Sequence, residues 1–267
     1  MSFLELADGN KIFYRVEGEG TPVILLNGIM MTSEAWAFQR QDLGKKHMVI
    51  SHDFLGQGQS SQPGEGYSFS LHCDHLLKLM EELKIGQAHF IGASYGGEVG
   101  LLFAAEYPEK VKSLTVAASV SEIHPLLEAM GRSWMAAAEL EKGENFLRIV
   151  APLIYSEEFF AERKEWFEGR IKAFASSVHP RWFRAFNGLM RAFMQLDLTH
   201  KLGDIEAPTL VVAGEEDILK PPKYSRIIAD NIQDSRLEIL PTGHAIPLEN
   251  PAVFNKMVLD FMAETER

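Results

Sequence analysis

A single cysteine, Cys73, among 267 residues excludes an intramolecular disulfide and any cysteine-based metal cluster. That usage fits a reducing, cytoplasmic setting. Positive charge is also scarce: 26 Lys and Arg against 37 Asp and Glu leave a formal net charge of −11. The balance argues against nucleic acid or an anionic membrane surface as a general partner, while leaving room for a local cationic patch that binds a small anion. No apolar run approaches the ~18 residues that a membrane span needs. The opening Met1-Ser2-Phe3-Leu4-Glu5-Leu6 lacks the basic segment and apolar core of a secretory signal. Internal repeats and low-complexity tracts are missing as well. What is left, 46% hydrophobic and 24% charged, has the make-up of an ordinary soluble globule. The length suits one large domain carrying an insertion better than two independent domains.

The punctuation of the chain is clear. Residues 3–6 and 12–16 flank Asp8-Gly9, a turn dipeptide favoured in hairpins. Pro22-Val23-Ile24-Leu25-Leu26 is uniformly apolar and ends in Asn27-Gly28, the pattern of a strand buried on both faces. A helix is expected over 33–43 and a strand over 47–50. Another helix, over 70–83, carries Leu71, Leu76, Leu77, Met80 and Leu83 on one side and has Gly86 as its stop. Short apolar strands follow at 89–91 and 114–118. From 121 to about 199 no strand pattern occurs, and aromatic and methionine residues recur at helical spacing. The alternation resumes with a strand at 209–213, a helix opened by Pro221-Pro222, a strand at 236–240 and a last helix opened by Asn250-Pro251. Such alternation makes a mostly parallel sheet covered by helices on both faces. The expected organisation is a core of residues 1–120 and 200–267 interrupted by a helical cap, 121–199.

Chemistry first shows in Gly92-Ala93-Ser94-Tyr95-Gly96-Gly97, which follows His89-Phe90-Ile91 and precedes a helix stopped by Pro108. It reads as a serine held on a sharp strand-to-helix turn. A residue there takes strained backbone angles, and its neighbours must be small if the turn is to close. Gly92 and Gly96 meet that need, in a G-x-S-x-G pattern. A serine hydroxyl is a weak nucleophile at neutral pH, so it needs a base within reach and a third group to orient that base. On open α/β sheets the working groups lie at the carboxyl ends of strands. Asp217 stands there in Gly214-Glu215-Glu216-Asp217-Ile218, and His244 in Pro241-Thr242-Gly243-His244-Ala245. Ser94, Asp217 and His244 therefore form the candidate catalytic triad. Glu215 and Glu216 compete with Asp217, and Glu122 stands after the preceding strand, a less usual place for the acid. The remaining histidines lack the strand-end glycine context. Two main-chain N–H groups should face the oxyanion: that of Tyr95, and that of Ile29 within Asn27-Gly28-Ile29-Met30.

With these loops in this order, the chain resembles the α/β-hydrolase superfamily over nearly its whole length outside 121–199. Asp53-Phe54-Leu55-Gly56-Gln57-Gly58-Gln59-Ser60 matches the family's D-x-x-G-x-G-x-S loop, and Gly243-His244 followed by Glu249-Asn250-Pro251 is also typical. The resemblance implies the α/β-hydrolase fold, a mostly parallel eight-stranded sheet with helices on both faces and a helical cap. It selects no single reaction, because the superfamily includes esterases, lactonases, C–C bond hydrolases, perhydrolases, acyltransferases and non-enzymatic receptors. Two positions depart from the common pattern: Asn27 where many members carry His, and Leu55 where many carry Arg. Asn27-Gly28-Ile29-Met30 is similar to the same loop in the synthase that joins 3-hydroxyacyl chains for rhamnolipid precursors. An asparagine there is similar to enol-lactone hydrolases. Haloalkane dehalogenation, which uses an aspartate nucleophile, is disfavoured by Ser94.

The cap segment should roof the nucleophile. Phe160, Phe167, Ile171 and Phe174 share one helical face, Trp182, Phe186, Leu189 and Phe193 another, and methionines such as Met190 and Met194 add deformable apolar volume. A pocket under such a roof favours apolar acyl or aryl groups. Asn27, Gly28, Met30, Trp134, Trp182 and Phe186 are the candidate substrate-contacting residues. Arg181, Arg184 and Arg191 form a stripe expected to face solvent, with recognition of a carboxylate or phosphate as the rival role. Glu98 is expected only to complement the dipole of its helix. The resulting expectation is a serine hydrolase that cleaves a small apolar carboxylic ester or lactone through an acyl-enzyme. It needs no metal and no organic cofactor; its partner is that small molecule, and a homodimer is compatible. An acyltransferase using the same triad, or a non-catalytic small-molecule receptor, is the alternative.

Overall fold

The apolar runs become the inner strands of one sheet. In the computed structural model, which describes residues 2–266, the strands are β1 (Ser2–Glu5), β2 (Lys11–Glu17), β3 (Thr21–Leu26), β4 (His47–His52), β5 (Ala88–Ala93), β6 (Val111–Ala117), β7 (Thr209–Gly214) and β8 (Ser235–Leu240). They form an eight-stranded sheet in the order β1-β2-β4-β3-β5-β6-β7-β8. Pairing is antiparallel for β1 with β2 and β2 with β4, and parallel from β4 to β8. The expected α/β-hydrolase sheet is therefore present. Alternation along β3 explains how both faces are filled: Ile24 and Leu26 enter one core with Phe90 and Val116, while Val23 and Leu25 enter another with Ile91 and Val212. Burial on both faces is why β3, β5 and β7 lack the polar alternation of a one-sided sheet.

Local departures from the expectation have simple causes. The helix expected over 33–43 begins as a 3-10 turn, Ser33–Trp36, before Ala37–Leu43. The strand expected to end at residue 50 runs on through Ser51 and His52, because both pair with β2 and their polar side chains are hidden there.

Between β6 and β7 the described chain forms the helices Pro125–Glu139, Gly143–Val150, Glu157–Glu162, Lys164–Ser177 and Pro180–Phe193. The two ends of this segment clasp each other. Glu122 bridges Asp197, Leu198 N donates to Ser121 O at 2.7 Å, and the Ser121 and Thr199 hydroxyls lie 2.7 Å apart. Phe146, Phe174, Trp182, Phe183 and Phe186 interlock inside the helical layer, with Trp182 stacked on Phe186 at 5.4 Å. Trp182, partly buried, and Phe186, buried, pack within this helical layer, and neither is among the residues that border the cavity above Ser94.

Under the sheet, His52 and His72 are enclosed with Phe54 and Tyr95. Burial, with the nearby His75 acting in the same direction, pushes both imidazoles down to about 3. In the unfolded chain they protonate near pH 6.5. Below that value the unfolded state binds protons that the native state refuses, so stability falls as the pH drops. The slope is at most about 1.4 kcal/mol per pH unit for each histidine. Urea unfolding at pH 7.5 and 5.5 should show this loss, and a His72→Leu variant should lose less over the same interval.

Candidate active site

At the end of β5 the chain turns into the helix Tyr95–Glu106 through Ser94, whose φ of 53° and ψ of −120° place a non-glycine residue in strained territory. The turn is held by main-chain bonds: Ser94 N donates to Ala117 O at 2.8 Å, and Gly97 N donates to Ser94 O at 2.8 Å. Its flanks leave no space. A Cβ on Gly92 would lie 2.6 Å from the Gly96 carbonyl, and one on Gly96 would lie 2.1 Å from Leu26 O. The glycine spacing of the motif is therefore a steric requirement.

Three residues distant in sequence meet at this point. His244 Nε2 lies 3.0 Å from Ser94 Oγ, and His244 Nδ1 lies 2.7 Å from Asp217 Oδ2. Asp217 is buried, and its second oxygen accepts the N–H groups of Leu219 at 2.9 Å and Lys220 at 2.8 Å. With a carboxylate facing Nδ1, the consistent assignment is a proton on Nδ1 and a free lone pair on Nε2 toward the serine. The rival acids lie elsewhere: Glu216 accepts the N–H of Glu157, and Glu122 approaches His124. The histidine loop is also tied to the cap. His244 N donates to Ile154 O at 2.8 Å, and Glu249 Oε2 accepts from both Gly243 N at 3.0 Å and the Ser156 hydroxyl at 2.6 Å.

The amides of Ile29 and Tyr95 donate to no backbone carbonyl among the described residues, and both residues border the cavity above Ser94. Gln57 steadies the Ile29 loop by donating to Gly28 O at 2.9 Å and Ile29 O at 3.2 Å. Asn27, one of the expected substrate contacts, is committed to internal hydrogen bonds. It is fully buried, donates to His52 O at 2.9 Å and accepts the indole N–H of Trp36 at 2.8 Å. Asp53, from the D-x-x-G loop, likewise accepts from Ser33 N at 2.6 Å and Gln59 N at 2.8 Å.

Leu127, Trp134, Met190, Phe193 and Leu219 wall the cavity. Gly28 and Met30 are outside the lining, because Gly28 turns its N–H toward Met31 Sδ at 3.2 Å and Met30 packs against the larger core. The arginine stripe is outside too: Arg181 and Arg191 are exposed, and Arg184 lies 3.7 Å from Glu141. Two charged residues in the site had no such role in the sequence reading. Lys220 reaches Ser94, and Glu98, expected only to complement the dipole of its helix, is fully buried against Lys220. Lys220 offered only a position three residues past Asp217.

The comparisons with known proteins point to one family. A family model described as the alpha/beta hydrolase fold matches residues 21–251, and the chain belongs to that family. RutD of Variovorax paradoxus (strain S110), provisionally named a carbamate hydrolase, is 30% identical over 258 residues, covering 94% of this chain and 96% of its own. A 2-hydroxymuconate semialdehyde hydrolase of Pseudomonas sp. (strain CF600) is 28% identical over 274 residues, covering 98% and 93%. Among solved structures, MGS-M2, an alpha/beta hydrolase enzyme from a Medee basin deep-sea metagenome library, superposes with a TM-score of 0.93 at 31% identity, covering 98% and 97%. The protein is a hydrolase of this fold. No helix of the described residues is long and apolar enough to cross a membrane.

The strain at Ser94 has a measurable consequence. Ser94→Gly should raise stability in urea by roughly 1 kcal/mol, the strain relieved less the backbone entropy of glycine. Gly96→Ala should instead abolish soluble expression.

Proposed function

We propose that the chain is a serine hydrolase that cleaves a small apolar carboxylic ester or lactone through an acyl-enzyme. The observation that carries this reading is the unbroken line of hydrogen-bonding atoms from Asp217 Oδ2 through His244, 2.7 Å and 3.0 Å long, to Ser94 Oγ. Ser94 attacks the substrate carbonyl while His244 Nε2 takes its proton, and Asp217 holds the ring and stabilises the imidazolium. The amides of Ile29 and Tyr95 face the developing oxyanion. His244 then protonates the leaving alkoxide. Water, deprotonated by the same nitrogen, attacks the acyl-enzyme, and Ser94 recovers its proton as the carboxylic acid leaves.

We assign residues 121–199 the role of a lid on the core formed by 1–120 and 200–267. The apolar walls supplied by Leu127, Trp134, Met190 and Phe193 support an apolar acyl group. The relatives are named as hydrolases, which favours water over a hydroxyl group as the acyl acceptor.

A fluorophosphonate should add one adduct to the wild-type chain, by intact mass, and none to Ser94→Ala. In a p-nitrophenyl ester assay, His244→Gln should lower kcat/KM by about 10²–10⁴-fold. Failure of the wild type to take the label, or full activity in the histidine variant, would overturn the reading. In a panel of esters of increasing acyl length, Trp134→Ala should move the optimum toward longer chains, and an unmoved optimum would detach Trp134 from the acyl site.

A further inference from the structure

An ion pair sits inside the apolar surroundings of Ser94. The Lys220 side chain is 4% exposed and that of Glu98 is 0% exposed. Lys220 Nζ lies 2.5 Å from Glu98 Oε1, 3.1 Å from Ser94 Oγ and 4.7 Å from the centroid of the Phe193 ring. Removing two opposite charges from water is costly even when they pair, and their replacement by apolar groups is often no worse for stability. Their position against the candidate nucleophile therefore asks for a chemical role. Both charges are fixed from the backbone side. Glu98 Oε1 also accepts Val120 N at 3.1 Å, and Lys220 N donates to Asp217 Oδ1 at 2.8 Å. One turn thus sets both the acid of the triad and the ammonium.

We propose that Lys220 is a catalytic residue that accelerates release of the acyl group from Ser94, and that Glu98 is the positioning residue that holds its ammonium against Oγ. The inference rests on the serine-hydrolase reading above. An ammonium only donates, so Oγ accepts from Lys220 and keeps its own proton for His244 Nε2. In the free enzyme the hydroxyl oxygen is already a good acceptor, so this bond changes little when attack begins. In the acyl-enzyme Oγ is an ester oxygen, a poor acceptor, and it gains charge as the C–Oγ bond weakens. A bond that strengthens between ground state and transition state accelerates a step, and here that step is deacylation.

The accounting is complete within the site. Water gives its proton to His244 Nε2 and its oxygen bonds to the acyl carbon. The C–Oγ bond then breaks with its electron pair passing to Oγ, the imidazolium returns the proton to Oγ, and the acid departs. Lys220 stays protonated throughout.

The test uses the full chain with p-nitrophenyl butyrate in a stopped-flow instrument, which separates the acylation burst from steady-state deacylation. Lys220→Met, and the charge-free double variant Glu98→Gln/Lys220→Met that avoids an unpaired buried carboxylate, should slow deacylation by about tenfold or more, the effect of one charged hydrogen bond. Acyl-enzyme should accumulate in both by intact mass, while the acylation burst and fluorophosphonate labelling slow by a much smaller factor. A merely structural role would lower both phases together, and that result, or unchanged deacylation in the double variant, would overturn the assignment. A wild-type chain that shows neither a burst nor a label would overturn the serine-hydrolase reading itself, and the Lys220 assignment with it.

Discussion

The site depends on a place where two stretches of main chain approach too closely for any side chain. The carbonyl of Leu26, at the end of β3, occupies the space that a Cβ on Gly96 would need, and the main chain of Gly96 and Gly97 does the same to Gly92. That contact lets the helix Tyr95–Glu106 begin directly at the strand end, with Ser94 at positive φ and its hydroxyl projected beyond the sheet. The same approach brings the loop that begins at Asn27 alongside the first amides of the helix. The placement of Ser94 and of the amides of Ile29 and Tyr95 thus follows from one steric constraint. The local strain survives because the sheet on both sides over-determines it.

Around this point polar groups are spent on architecture as much as on chemistry. Asn27, Asp53 and Gln57 satisfy buried main-chain and indole donors and acceptors, so that the loop bordering the cavity is held without a helix or strand of its own. Buried polar groups of this kind must be paired or they cost more than they contribute. Glu249 does similar work on the other side, joining the histidine loop to the cap at Ser156. The loop bearing His244 and the helical segment at Ser156 therefore share an anchor.

Much of this was legible in the chain. The uniformly apolar residues 22–26, the paired glycines about Ser94, and the loops bearing Asp217 and His244 each carry a local signature, because each answers a local demand of backbone geometry or two-sided burial. The cap was legible as helices, yet which side of each helix faces the cavity was not. Trp182 and Phe186 share a helical face with Phe193, but Phe193 borders the cavity while they close the helical layer on itself. Helical periodicity reports that a face is buried and is silent about what covers it.

Glu98 and Lys220 mark the same boundary. A glutamate in the first turn of a helix has a sufficient local explanation in the helix dipole, and a lysine beside a proline pair has no local signature at all. Only the sheet, in which β5 and β7 run parallel on either side of β6, sets the two side chains against each other and against Ser94, 122 residues apart in sequence for the pair. The sequence by itself determined the order of strands and helices, the sharp turn at Ser94 and the residue types at the strand ends, since these follow from short-range sterics and burial. Tertiary structure alone decided which charges are buried together and which aromatic side chains reach the cavity, since Coulombic pairing and packing depend on distances that no spacing along the chain encodes.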